Sequence, residues 1–467
     1  MDDRPPIDED QEAWLPEVSG DGYGLSVDLV FAVQDALERD DSETVRVLVE
    51  DVHSADLADL LESLGREERL AFVRIMGNRL DTEALSYLDD SVLADVIVEL
   101  EPKKLAKSLS ELASDDAVEV LEELDEEVRH RIISALPQAY RTLIEESLTF
   151  PEDSAGRLMQ REVVVVPASW TVGETIDYMR AAEQLPDDFY DLYIVDPKHR
   201  PLGWAPLSRV LRTRRPVKLT EIMEEDMKTI PVDMDQEEVA YVFRQYGLFS
   251  APVLDDAGRI VGVITVDDVV HIIDEEAEED LMKLGGVSEI DIFSDFKNTT
   301  RARGSWLLVN LFTAVVASMV IGLFEATIEQ VVALAVLMPI VASMGGNAGT
   351  QTLTVAVRAI AMKDLTAANA KRFVGKEVLV GLFNGLVFAV LTGAVAWLWF
   401  GAPAIGAIIA AAMVINMLVA GLSGTLIPLG LERLGVDPAV ASSVFLTTVT
   451  DVVGFFAFLG LAALFLL

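Results

Sequence analysis

The sequence predicts a multi-domain membrane protein: an α-helical superhelical N-terminal domain, two tandem α+β modules, and a transmembrane domain of five helices. Three observations lead to this prediction. The 467 residues combine 51% hydrophobic content with a net charge of −41, which is unusual for one globular domain. An internal repeat lies within residues 158–273, and five apolar stretches beyond residue 300 are long enough to cross a bilayer.

Nearly all of the net negative charge lies in the first part of the chain. Residues 304–467 carry six basic and seven acidic side chains, which leaves 30 basic and 70 acidic ones in residues 1–303. Such an excess repels nucleic acid and concentrates small cations at the surface. A general halophilic or solubility adaptation is the alternative explanation. The absence of cysteine excludes disulfides, thiolate metal sites and cysteine nucleophiles.

The N-terminal part is predicted to be helical and cytosolic. Residues 1–24 form an acidic tail, predicted to be disordered, and its polar sequence MDDRPPIDED is not a signal peptide. In residues 25–150, apolar side chains recur at spacings of three and four, which is typical of short amphipathic helices. Their irregular succession predicts a superhelix that serves as a scaffold or interaction surface.

The internal repeat predicts two similar modules, at residues 151–216 and 217–275. LMQREVVVVP (158–167) returns as IMEEDMKTIP (222–231), and the first copy carries an insertion around EQLPDDF. Each copy follows the order short strand, helix, β-hairpin, helix. This order resembles a pair of cystathionine β-synthase (CBS) domains, regulatory modules that often bind adenine nucleotides.

The CBS resemblance implies a nucleotide signature of Gly, then Ser or Thr, then Asp, at intervals of three. The second copy has it as Gly262, Thr265 and Asp268, whereas Arg209 replaces the acid in the first copy. Gly262 and Thr265 are therefore candidate nucleotide-binding residues. ATP binding stays open, because only one of the two copies retains the signature.

The helix that begins near Asp268 carries a dense group of acids. Glu276, Glu279 and Asp280 lie at spacings of three and four, so their like charges crowd one another. A solvated acidic face is the ordinary interpretation of such a run. Its position just before the first span favours a regulatory site, at which Mg²⁺ would draw the cytosolic modules together and change the pore.

Loop charges predict the orientation of the membrane domain, residues 301–467. Lys and Arg occur before the first span and in the second and fourth connections, but not in the first or third. Because basic residues accumulate on the cytoplasmic side, we expect a cytoplasmic N-terminus and an external C-terminus in the plasma (bacterial inner) membrane. A connecting helix at 276–300 precedes the predicted spans, which are 305–325, 331–357, 377–400, 403–430 and 438–467.

The second predicted span contains an unusual stretch, LMPIVASMGGNAGTQT (337–352). Pro339 and several glycine or polar positions interrupt the apolar run. Non-helical backbone at membrane depth is tolerated only against protein or a water-filled cavity. We therefore expect irregular, pore-lining backbone here, with Gly345, Gly346 and Asn347 facing the pore.

Asp451 is the acid that stands out in the fifth span. At about 1.5 Å per residue it lies roughly 20 Å into the membrane, where a carboxylate costs about 3 kcal/mol. The span cores contain no Lys, Arg or His to pair with it, and Thr447, Thr448 and Thr450 surround it with hydroxyls. Oxygen ligands suit Mg²⁺ or Ca²⁺. One carboxylate per chain suggests that two chains share one pore, as a homodimer around a hydrated ion.

The chain resembles the MgtE family of magnesium channels over about residues 25–467. The motifs that carry the resemblance are FPEDSAGRLM (150–159), MGGNAGTQT in the second span and TTVTD in the fifth. The resemblance implies a homodimer in the bilayer that binds hydrated Mg²⁺ at Asp451 and closes when intracellular Mg²⁺ binds its cytosolic domains. Segment 281–296 would be its plug helix. It also implies regulatory metal ligands at Asp437, Asp268, Glu276, Glu279, Asp280 and, as a weaker candidate, Asp116.

Other functions stay open at this point. The alternatives are a CBS-regulated transporter of Mn²⁺, Co²⁺ or Ca²⁺, a CBS-regulated anion transporter, and a membrane-anchored enzyme or receptor. An anion path should display Arg or Lys within a span. GxxxxGK[ST], HExxH and GxSxG motifs are absent and the four histidines are scattered, so we do not predict an enzyme.

Overall fold

The computed structural model describes residues 24–182, 185–186, 189–287 and 296–467. Most of the predicted acidic tail, part of the insertion in the first repeat and part of the predicted connecting helix lie outside these ranges. The described residues divide into two compact units, one ending at Ile273 and the other beginning at Asp274.

The first unit begins with short helices around one apolar core. Aspartates cap two of them, since Asp41 accepts from Thr44 N (3.2 Å) and Asp89 accepts from Ser91 N (3.0 Å). The helices are α1 (Val27–Glu38), α2 (Ser42–Leu48), α3 (Ser54–Ser63), α4 (Arg66–Met76), α5 (Asp90–Glu99), α6 (Pro102–Leu109), α7 (Ser114–Glu122), α8 (Glu126–Ala135) and α9 (Gln138–Ser147), with 3₁₀ turns at Gly77–Arg79 and Glu83–Tyr87.

Two small sheets follow, one for each predicted repeat. In each sheet the first strand pairs in parallel with the second, and the second pairs antiparallel with the third. The first repeat contains α10 (Ala155–Leu158), β1 (Val165–Pro167), α11 (Val172–Ala181), β2 (Asp191–Val195), β3 (Pro201–Pro206), α12 (Leu207–Arg212) and a 3₁₀ turn at Leu219–Glu221. The second contains β4 (Ile230–Pro231), α13 (Gln236–Tyr246), β5 (Ser250–Leu254), β6 (Ile260–Thr265) and α14 (Val266–Leu284).

Within its described residues, the second unit contains five helices long and apolar enough to cross a membrane. The central one is α19, which packs against α17, α18 and α20, while α15 packs against α20. The helices are α15 (Phe296–Gly322), α16 (Glu325–Gln330), α17 (Ala333–Ala361), α18 (Ala370–Phe400), α19 (Pro403–Arg433) and α20 (Pro438–Leu466). The predicted fold class, a helical domain, tandem α+β modules and a five-helix membrane domain, is confirmed.

One local feature differs from the sequence-based expectation. The stretch 337–352 was expected to be irregular, but α17 runs without a break through Pro339. Neighbouring helices can satisfy the carbonyl that a proline frees in a membrane helix, so this prediction of non-helical backbone was wrong. Helix α14 runs continuously from Val266 to Leu284.

Candidate functional site

Asp451 lies in the middle of α20 and its side chain is half-buried. Thr447 and Thr448 precede it by four and three residues, which places all three side chains on one face of the helix. Thr447 Oγ1 donates to Ser443 O (3.0 Å), and Thr448 Oγ1 donates to Val444 O (2.6 Å). A hydroxyl that donates its proton to the backbone keeps its lone pairs for an ion or its water. This face can therefore offer oxygen atoms to a cation.

Thr450 has different surroundings. Its side chain is fully buried, and Oγ1 donates to Leu446 O and Thr447 O, each at 3.1 Å. Thr450 immediately precedes Asp451, and adjacent residues of a helix do not face the same side. The structure thus brings Thr447 and Thr448 onto the face of Asp451 and directs Thr450 into the helix packing.

The glycine-rich stretch of α17 packs closely on its neighbours. Gly345 is buried, Gly346 is half-buried and Asn347 is exposed. At Gly349, an added Cβ would lie 2.8 Å from Leu446 of α20. Glycines here let α17 approach the helix that carries Asp451.

Two polar side chains within the membrane helices were missed by the sequence interpretation. Asn416 of α19 is fully buried, and its Nδ2 donates to Val341 O at 2.8 Å. Glu377 of α18 is 8% exposed, and its Oε2 accepts from Thr352 Oγ1 at 3.3 Å. A single carboxamide in a long apolar run was the signal available for Asn416. Glu377 had been placed at the edge of its span.

A first acidic cluster lies within the N-terminal unit. Asp115 and Asp116 stand in the first turn of α7, and Asp267 and Asp268 stand in the first turn of α14. Burial, together with Glu83 and Asp267, raises the pKa of Asp116 to about 6. The pKa of Asp115 is raised well above its usual value by burial and then by Asp268 and Asp116.

Asp268 is likewise a buried carboxylate with other acids close to it. Burial raises its pKa to about 7, with Asp267 and Asp116 adding to the effect, although Asp268 Oδ2 accepts from Thr265 Oγ1 at 2.8 Å. The structure thus brings the predicted residues Asp116 and Asp268 into one electrostatic cluster. Raised carboxylate pKa values mean that the charged forms lack compensation, which a divalent cation could supply.

His271 and Tyr87 border this cluster. Their ring centroids lie 5.8 Å apart. The charge of His271 acts on Asp116 by lowering its pKa. When protonated, His271 of α14 therefore offsets part of the carboxylate charge of this cluster.

A second acidic group lies within the C-terminal unit, around Lys283. Its Nζ is 2.9 Å from Asp437 Oδ2 and also pairs with Glu279 one turn earlier on α14. Burial alone would lower the pKa of Lys283, but the two carboxylates raise it. Burial and then Asp437 raise the pKa of Asp280, which Lys283 partly offsets.

The remaining predicted residue of this second group is Glu276, which is half-buried one turn before Glu279 and Asp280. Asp437 also caps α20, because its Oδ1 accepts from Ala439 N at 2.7 Å. Sequence interpretation missed Lys283, whose spacing of four from Glu279 was the available signal. Across the part of the chain that the structure describes, three or more His, Asp or Glu side chains are nowhere grouped so as to hold one metal ion.

Of the two predicted nucleotide-binding residues, Thr265 borders a cleft between the two repeats and Gly262 does not. Thr265 lines it together with Tyr190, Asp191 and Ser250. The rings of Tyr190 and Phe249 lie 6.1 Å apart, an aromatic pair that sequence interpretation did not identify. Gly262 serves packing, since an added Cβ would lie 2.6 Å from Met159 Sδ.

Arg209 takes the place of the missing acid in the first repeat. Its Nη1 donates to Ile222 O at 3.0 Å, and its guanidinium also pairs with Glu224. The side chain is thereby held at the edge of the first repeat by a backbone and a carboxylate partner.

Comparison with known families finds matches along most of the chain. The model of the MgtE family, described as a divalent cation transporter, matches residues 338–461. The MgtE intracellular N domain matches residues 52–153, and the CBS domain matches residues 155–215 and 219–275.

Curated relatives are similar over nearly their whole length. The magnesium transporter MgtE of Thermus thermophilus is 34% identical over 447 residues, covering 94% of this chain and 98% of the relative. The magnesium transporter MgtE of Bacillus subtilis is 28% identical over 434 residues, covering 90% and 96%. A solved structure of the cytosolic domain of the Mg²⁺ channel MgtE in complex with ATP is 32% identical with a TM-score of 0.48, covering 52% of this chain and 99% of that one.

Proposed function

Since the chain belongs to the MgtE family of magnesium transporters, we propose that it conducts Mg²⁺ through a pore at a homodimer interface and that intracellular Mg²⁺ closes this pore. The observation that carries the pore assignment is Asp451, a carboxylate in the middle of α20 with two threonine hydroxyls on its face. Mg²⁺ flux into vesicles, compared between wild type and Asp451→Asn, tests it.

The chemistry of Mg²⁺ supports this assignment. Mg²⁺ gives up its water reluctantly and is commonly held by one or two carboxylates. Two copies of Asp451, one from each chain, neutralise one divalent ion. The hydroxyls of Thr447 and Thr448 accept hydrogen bonds from the water molecules that the ion keeps.

The orientation follows from the loop charges. Basic residues in the second and fourth connections place those loops, and the acidic N-terminal unit, in the cytoplasm. The C-terminus then lies outside. In this orientation, both acidic groups lie on the cytoplasmic side, where intracellular Mg²⁺ can reach them. The first is the group on α7 and the start of α14, and the second is the group around Lys283 and Asp437.

The two acidic groups act as the Mg²⁺ sensor. Asp116 and Asp268 carry carboxylates whose burial and mutual repulsion favour cation binding. The second site is proposed at four acids that lie near one another without converging on one point: Glu276, Glu279, Asp280 and Asp437. Lys283 pairs with Glu279 and Asp437, and Mg²⁺ would compete with it for the same oxygens as it draws the acids together. Regulation by the CBS region is thus electrostatic, since bound Mg²⁺ compensates charge that the protein leaves uncompensated.

We expect Lys283→Gln to close the pore at a lower Mg²⁺ concentration. The ammonium competes with Mg²⁺ for Asp437 and Glu279, and a partly exposed ion pair contributes about 0.2–1 kcal/mol, so the inhibitory concentration should fall roughly 1.4- to fivefold. Flux at several Mg²⁺ concentrations on the cytosolic face gives this value. Lys371→Gln, which removes the same charge from an exposed position, is the matched control. An unchanged or higher inhibitory concentration in Lys283→Gln would contradict competition.

A nucleotide is a second regulatory ligand of the CBS pair. Tyr190, Ser250 and Thr265 line the cleft with a ring that can stack on an adenine and hydroxyls that can hydrogen-bond to it. Because the cleft encloses only about 20 Å³, it must open to admit a nucleotide. ATP is the candidate, since ATP is bound in the related cytosolic domain named above.

Selection among divalent cations rests on the same oxygens, so Mn²⁺, Co²⁺ and Ca²⁺ are the competing substrates. Mg²⁺ is preferred here because a hydrated ion needs few protein ligands, and each chain offers one mid-span carboxylate on α20. Anion transport is disfavoured by that same carboxylate.

A further inference from the structure

Asn416 occupies an unusual position for a carboxamide. It lies in the middle of α19 with 0% of its side chain exposed, and Met413 and Met417 beside it are also buried. A polar group among apolar helices is costly unless it is hydrogen-bonded. Its contacts therefore indicate what the side chain does.

The side chain contacts two neighbouring helices at glycines. Its Nδ2 donates to Val341 O of α17 at 2.8 Å. A Cβ at Gly345 of α17 would overlap with Asn416 Nδ2, and a Cβ at Gly454 of α20 would lie 2.8 Å from the same atom. The carboxamide is thus held between two positions where only glycine leaves room for it.

These two glycines belong to the segments that carry the proposed pore. Gly345 begins the sequence Gly345-Gly346-Asn347, and Gly454 follows Asp451 by three residues, about one helical turn. One side chain therefore fixes the spacing between the glycine-rich stretch of α17 and the turn of α20 that holds the carboxylate.

The second polar atom of Asn416 argues against a role in stability alone. Its Oδ1 is buried and has no hydrogen-bond partner among the described residues. Leucine has a similar branched shape and would leave no acceptor unpaired, so stability alone would favour the apolar residue. The hydrogen bond from Nδ2 to Val341 O is what the carboxamide adds.

We infer that Asn416 is a positioning residue for ion conduction, which sets the distance of Asp451 from α17 through Val341, Gly345 and Gly454. The inference rests on the proposed function, because Asp451 is its reference point. It goes beyond that proposal by assigning the alignment of the pore helices to a buried residue of α19.

The test combines Gly345→Ala, Asn416→Ala and their double variant in the full-length protein. Gly345→Ala should lower the maximal Mg²⁺ flux about 100-fold, because the new methyl group would overlap with Asn416 Nδ2 and push α17 away from α19 and the turn of α20 that holds Asp451. Removing the carboxamide makes room for the new methyl group, so the double variant should recover about tenfold over Gly345→Ala. Gly430→Ala, where an added Cβ meets nothing within 4 Å, is the control and should keep wild-type flux.

Asn416→Leu separates positioning from stability. It should keep the wild-type thermal unfolding midpoint in detergent while its flux falls about tenfold, because it fills the space but cannot donate to Val341 O. Wild-type flux in Asn416→Leu and Asn416→Ala, or a double variant no better than Gly345→Ala, would overturn the inference.

Failure of the proposed function gives a different result. Wild-type protein would then show no Mg²⁺ flux. In that case the thermal unfolding midpoints of the variants test whether Asn416 packs against Gly345. A midpoint lowered in Gly345→Ala and restored in the double variant would support the predicted contact, whereas independent effects of the two substitutions would refute it.

Discussion

Replacing Asp451 with asparagine should reduce Mg²⁺ flux about 100-fold or more. The amide keeps the shape of the side chain but removes its charge, and a hydrogen bond to a charged group contributes about 1.5–3 kcal/mol. In a homodimer the substitution removes two charges from one ion site, so the two losses combine. Flux into vesicles containing purified protein, measured with a Mg²⁺-sensitive dye, gives the ratio.

Glu432→Gln is the matched control for this experiment. It removes one negative charge from an exposed position at the end of α19, and it should keep wild-type flux. Asp451→Glu keeps the charge but moves it by one methylene, so we expect intermediate flux. Wild-type flux in Asp451→Asn would remove Asp451 from the ion path.

Asp116→Asn combined with Asp268→Asn should raise the intracellular Mg²⁺ concentration that closes the pore about tenfold, while leaving flux at low Mg²⁺ unchanged. Burial raises the pKa of these two carboxylates to about 6 and about 7, with neighbouring acids adding to the effect. The asparagine side chains are uncharged and do not repel one another, so a bound cation would relieve no repulsion between them. Losing about 1.4 kcal/mol of binding per site raises the inhibitory Mg²⁺ concentration about tenfold.

Flux at increasing Mg²⁺ on the cytosolic face measures this change. Asp256→Asn, which neutralises an exposed acid in the β-hairpin of the second repeat, is the control and should close at the wild-type concentration. If the double variant also closes at that concentration, Asp116 and Asp268 are not part of the sensor. If it loses flux at low Mg²⁺, the cluster serves folding instead.

Much of the architecture could be predicted because local sequence patterns determine it. The period of apolar residues revealed the short helices of the N-terminal domain, and the five apolar stretches revealed the membrane helices. The repeat between residues 158–167 and 222–231 revealed the paired sheets. Asp451 could be singled out because an acid in an apolar helix is costly whatever surrounds it.

The remaining features depend on contacts between distant segments. Lys283 pairs with Asp437, which belongs to a different helix, and no local period encodes such a pair. Asn416 contacts Gly345 and Gly454 only after three helices have packed together. Pro339 was misleading, since a proline that would break an isolated helix is accommodated inside α17.

The measurement that tests the central claim most directly is Mg²⁺ flux through the wild-type protein in vesicles at low and high Mg²⁺ on the cytosolic face. The account predicts rapid flux at low Mg²⁺ and strong suppression at high Mg²⁺, both within one preparation. Flux that is absent at low Mg²⁺ would contradict the proposed Mg²⁺ channel, and flux that is equal at the two concentrations would contradict its control by intracellular Mg²⁺.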